Sequence, residues 1–166
     1  MASLRTPREA ADALCAVIPA AMSRETLDEY GLEPTPEQTQ QITREVVAVS
    51  LFWIWSALDA GLSDQDRDRV FREILRGVAV AWTEELGLPA EWHQDFQTAV
   101  EERRRHYATV MNDGGTTISL LTETTMMLES ERAVKEKDRR KLLALLLDVI
   151  PIEEIGGMVD AIELAG

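Results

Sequence analysis

Residues 46–58 read Val46-Val-Ala-Val-Ser-Leu-Phe-Trp-Ile-Trp-Ser-Ala-Leu58, and this run decides the fold. It carries no charge and holds two of the four tryptophans, Trp53 and Trp55. A membrane span needs about 18 or more apolar residues, so the run is too short to cross a bilayer. A helix that is apolar all round is instead enclosed by protein. The lead-in, residues 37–45, is polar and helix-periodic, and Ile42, Val46, Val49 and Trp53 share one stripe. Asp59 and Gly61 end the run. The rest of the chain therefore reads as the shell of this helix.

Working outward, the flanking segments carry helix punctuation. Thr6-Pro7-Arg8-Glu9 places a capping threonine before a proline at the first helical position, with an acid three residues on. That helix is predicted to reach Pro19. Ser23 opens a short helix closed near Gly31, and Thr35-Pro36 starts the long one that contains residues 46–58. Ser63 with Asp64 and Asp66 is a cap followed by acids that complement the helix dipole. The helix after it runs toward Gly87 and Pro89. A further helix spans about 90–112, with Trp92, Phe96, Ala99, Tyr107 and Val110 along one stripe. Asn112-Asp-Gly-Gly is a stop. Thr117 opens a threonine-rich helix to Leu128. Residues 129–141 either continue it or form a hinge. A leucine-dense segment follows at 142–150, and Pro151 begins a last helix. No stretch alternates with period two, and no internal repeat is visible. The expectation is an all-α chain: one domain over residues 1–166, about seven helices around the central apolar one.

Composition narrows the function classes. The 166 residues hold 45% hydrophobic and 28% charged side chains, which is globular rather than disordered. Net charge is −13, with no basic footprint for nucleic-acid phosphates. The apolar stretch near the N-terminus is interrupted by Glu9 and Asp12 and broken by Pro19, unlike a secretory signal. The lone cysteine, Cys15, cannot close an intramolecular disulfide, so a reducing cytoplasm is the expected location. The partners expected are proteins, with neither nucleic acid nor membrane.

Few residues point to chemistry. Arg103 falls in the middle of an apolar stripe, beside Trp92, Phe96 and Tyr107. It reads either as an ion pair with an acid from another helix or as an anion ligand within a pocket. Glu102 and His106 share a helix face at a spacing that suits two metal ligands, but an exposed pair is the default. With two histidines, His93 and His106, and no Glu-x-x-His, no metal and no cofactor is called for. Asp113-Gly-Gly-Thr lacks the strand and lysine of a phosphate loop. The dinucleotide, kinase, hydrolase, zinc-finger and EF-hand signatures do not fit either. Residues 135–141 crowd five cations against two acids. That segment reads as a solvated helix start or as a dock for an acidic group. Gly156 and Gly157 weaken the last helix and point to close approach of another backbone, within the fold or across a dimer. Phe52 and Trp55 leave the main stripe of their helix and are the other interface candidates.

With no nucleophile–base set in view, the leading expectation is a non-catalytic acidic interaction or regulatory module, self-associating as a homodimer. The alternative is a bundle that binds a small anionic ligand, as an enzyme or otherwise, with Arg103, Trp92, Phe96, Tyr107 and His106 at its pocket.

Overall fold

A computed structural model describes residues 4–19, 21–85, 87, 89 and 91–165, less the side chains of Glu85, Trp92 and His93. The fold is all-α. The described residues form α1 (Pro7–Cys15), α2 (Arg24–Glu29), α3 (Pro36–Gly61), α4 (Asp64–Val80), α5 (Glu91–Asn112), α6 (Thr117–Ser130), α7 (Arg139–Val149) and α8 (Ile152–Asp160). The only bridge among them is isolated, between Arg5 and Leu164. None of these helices is long and apolar enough to cross a membrane.

Side-chain caps set the helix starts. Thr6 and Glu9 form a reciprocal capping box on α1. Thr35 and Gln38 do the same on α3, at 3.2 and 2.9 Å. Ser63 accepts from the Asp66 N–H at the start of α4. Thr116, one residue before the expected opener, caps α6. On α3 the expected enclosure holds: Val46, Val47, Val49, Leu51, Ile54 and Leu58 are all 0% exposed. Trp53, expected at the heart of the stripe, is half-buried, and Phe52 is buried in its place.

Three boundaries differ from the sequence reading. α1 ends at Cys15, not Pro19: the helical region is disfavoured for Ile18, the residue before the proline, and tighter turns close the helix ahead of it, with Val17 and Ile18 donating to Leu14 and Cys15. α4 gives way at Ala81–Glu85 to a π-turn. That turn carries Trp82 into the core, its ring centroid 4.3 Å from that of Phe96. Of residues 129–141, only Glu129 and Ser130 continue α6. The Ala133 N–H donates to Leu128 O at 2.8 Å and the Arg132 N–H to Glu129 O at 2.9 Å, which is a complete Schellman stop.

The chain divides into two compact units: residues 1–18, 50–99 and 151–166, and residues 19–49 and 100–150. In the first, α1 packs on α4 at Gly77, where an added Cβ would lie 2.9 Å from Cys15 Sγ. In the second, α2, the start of α3, the end of α5, α6 and α7 enclose Leu27, Ile42, Val46, Tyr107, Leu121 and Leu145.

Candidate functional site

The second unit holds the most unusual polar arrangement among the described residues. Glu45, on α3, is 6% exposed and lies one residue before the apolar run. Helical spacing points it at α5, where Arg103 and Tyr107 stand one turn apart. The Arg103 Nε lies 3.0 and 3.2 Å from the two Glu45 carboxylate oxygens. The Tyr107 hydroxyl, fully buried, donates to Glu45 Oε1 at 2.5 Å and accepts from Thr124 Oγ1 of α6 at 3.2 Å. Arg103 also places its Nη2 2.5 Å from Glu131 Oε1, at the C-cap of α6. One guanidinium thus joins three helices.

Electrostatics follow from this closure. Burial pushes the Glu45 carboxyl above its usual range, and Arg103 and the Tyr107 hydroxyl only partly offset it. Burial and the adjacent carboxylate hold the Tyr107 phenol well above its usual value. For Arg103, burial opposes the charge, but Glu45 and Glu131 outweigh it and the guanidinium stays firmly protonated. Two carboxylates already share this guanidinium, and its lone exposed fraction is about a quarter.

The other expected residues are dispersed. Phe96 packs against Trp82 in the first unit. His106 does not pair with Glu102; its Nε2 lies 3.0 Å from Glu123 Oε1, near the surface. The Trp92 side chain lies outside the described residues. Trp55 is half-buried, with the Arg67 guanidinium 5.2 Å over its ring. Phe52 does not present an uncovered face: at 4% exposure it lies in the core, and the half-buried positions at that level of α3 are Trp53 and Trp55. Nothing approaches Gly156 or Gly157 within 4 Å of an added Cβ, so the close neighbour they were expected to admit is not in this chain's described residues. No group of three or more His, Cys, Asp or Glu among the described residues has the geometry to hold a metal ion. Cys15 donates to the Ile74 carbonyl at 3.6 Å, and burial raises its thiol to about 11, so it stays protonated at neutral pH.

Two features escaped the sequence reading. Glu45 sits three residues after Ile42 on the same stripe, and the periodicity that singled out Arg103 singles it out too. The second is the concave surface beside residues 135–141, whose crowding of cations the sequence does display. A cavity of about 300 Å³ is lined by Gly31, Leu32, Pro34, Lys135, Lys137 and Lys141, among others. Lys141 is anchored there, 3.2 Å from Gly31 O and 3.3 Å from Asp138. A wider groove of about 870 Å³ is lined by Thr122, Thr125 and Leu143 together with the cations Lys135, Lys137, Arg139 and Arg140 and one acid, Glu136. Arg139 is held by Glu129 at 3.0 Å. Lys135, Lys137 and Arg140 are exposed and make no ion pair among the described residues.

Comparison with protein families, curated proteins and solved structures found no match.

Proposed function

We propose that this chain is a non-catalytic interaction module of a reducing cytoplasm that docks on an acidic protein partner through residues 135–141. The observation that carries this reading is an inversion of charge. In a chain of net charge −13, three exposed cations with no ion pair among the described residues, Lys135, Lys137 and Arg140, fall within six residues of one another, while the half-buried Arg103 is held by Glu45 and Glu131. Such a patch attracts an acidic surface, and the surrounding negative field rejects one that approaches elsewhere. The Glu45–Arg103–Tyr107 cluster acts as structure under this reading: its donors and acceptors are used by each other.

The test is site-specific photo-crosslinking in native cell extract. A crosslinking residue at Arg140 should capture a discrete acidic protein, and one at Glu154, in the other unit, should not. Capture from both positions alike, or from neither, contradicts the reading.

A second reading has its own support. The cavity beside Lys137 and Lys141 suits a small anion better than Arg103 does, so an anionic ligand belongs there in this alternative. Self-association as a two-fold dimer is assigned to the first unit, where Gly156 and Gly157 leave open space beside α8.

A further inference from the structure

We infer that the groove between α6 and α7 takes one face of an amphipathic helix with acidic residues at one end, supplied by a different protein. This deepens the interaction-module reading and rests on it.

The walls of the groove match such a helix in period and in polarity. On α6, Ile118, Thr122 and Thr125 follow at helical spacing and lie within a narrow arc. On α7, Arg140, Leu143 and Leu147 do the same. Thr122, Thr125 and Leu143 line the groove, and one turn beyond them the same two stripes carry Ile118, 60% exposed, and Leu147, 45% exposed. Arg139 of α7 meets Glu129 of α6 next to the connecting segment, and Thr122 and Thr125 of α6 share the groove with Arg140 and Leu143 of α7. Along each helix Ile118 and Leu147 lie farther from the connection, and Lys137 and Arg140 lie next to it. Each stripe runs about 10 Å, two turns of helix. A surface with an apolar end and a cationic end is read by apolar anchors at i, i+3 or i+4 and i+7, followed by Asp or Glu.

Charge decides between occupants. A second copy seated two-fold on this groove would set Lys137 and Arg140 either against their own counterparts, which repels, or against the apolar Ile118–Leu147 end, which leaves them without an acid. A second copy offering a different acidic face would make a head-to-tail contact, which builds rings or open filaments and not the two-fold dimer. A separate acidic chain meets neither objection.

The experiment is selection from a phage-displayed library of 16-residue peptides on the intact protein. Winners are measured by fluorescence anisotropy against the wild type, Lys137→Glu with Arg140→Glu, and Ile118→Glu with Leu147→Glu. All four positions are exposed, and circular dichroism melts check that the variants fold. The expected winners carry helix-period apolar residues next to Asp or Glu, and each double substitution weakens them about tenfold or more. Winners without that pattern, winners that bind both variants as they bind wild type, or winners competed off by a second copy seated in this same groove overturn the groove assignment and leave the interaction module standing. Enrichment on no surface counts against both.

Discussion

Replacing Arg103 by Met removes the charge and keeps much of the stem that packs between α3 and α6. Glu45, 7% exposed at its side chain, then has no counter-ion. At an effective dielectric of about 20, unit charges about 4 Å apart attract by about 4 kcal/mol. Breaking a buried pair costs a similar amount, about 3–5 kcal/mol. The stranded carboxylate has one escape, which is to take up a proton. That costs about 1.4 kcal/mol for each pH unit above its ordinary value near 4.3, so the penalty is capped at about 4 kcal/mol at pH 7 and about 1 kcal/mol at pH 5. The sign follows from the raised carboxyl. Between the unfolded value and the higher folded one, the folded state holds the proton more tightly, so stability is lost as pH rises through that window. Urea denaturation of Arg103→Met and wild type at pH 5 and pH 7 reads the difference. The expected loss is large at pH 7 and small at pH 5, and Glu45→Gln added to Arg103→Met restores most of it, since the amide oxygen still accepts from Tyr107. A loss of equal size at both pH values, or none at either, refutes the closed-cluster reasoning.

Other consequences are open to simple assays. Arg132 holds φ +62 at the αL position of the α6 stop, where a side chain costs about 1 kcal/mol or more; Arg132→Gly should raise stability by about that amount in a thermal melt. Gly77→Ala places a Cβ 2.9 Å from Cys15 Sγ. Overpacking of about 1–3 kcal/mol should then exceed the helix-propensity gain of about 1 kcal/mol, and Cys15→Ala in the same chain should reverse the loss, as a double-mutant cycle would show. With its thiol raised to about 11, Cys15 should react with iodoacetamide at pH 8 about two orders of magnitude more slowly than a free thiol, and at the free rate only in denaturant. Because the folded thiol binds its proton more tightly than the unfolded one, that residue should also lower stability as pH rises from about 8.5 toward 11. Light scattering should report a mass of twice 18.6 kDa at tens of micromolar protein if α8 pairs two-fold.

Helix order was legible because capping is local. Thr6, Ser23, Thr35 and Ser63 each sit within three residues of the N–H they accept from or the partner they bond. The enclosure of residues 46–58 was legible from hydropathy alone. Arg103 stood out as a charge on an apolar stripe, but its partners did not. Glu45 is 58 residues away and Glu131 is 28, and no period links positions on different helices. The π-turn at Ala81–Glu85 depends on where Trp82 packs, which is a tertiary matter. The α6 stop was hidden for another reason. Its αL position is filled by Arg132 where a glycine or asparagine would have announced it, and its carbonyl is then tied by the Gln38 side chain at 3.0 Å. Residues 135–141 read as charged in sequence, but the groove they line comes from the α6–α7 packing that this stop creates.

Under the proposal, recognition lies at the surface around residues 135–141, and the Glu45–Arg103–Tyr107 cluster, whose groups bond one another, takes no ligand. Nitrogen-15 shift mapping of the backbone and the arginine Nε–H groups, during titration with inorganic phosphate and then with hexaglutamate peptide, tests both halves at once. The expected shifts concentrate over residues 134–143, strongest for hexaglutamate, with the Arg103 Nε–H unmoved. Early movement of the Arg103 Nε–H, with residues 134–143 silent, would contradict the proposal.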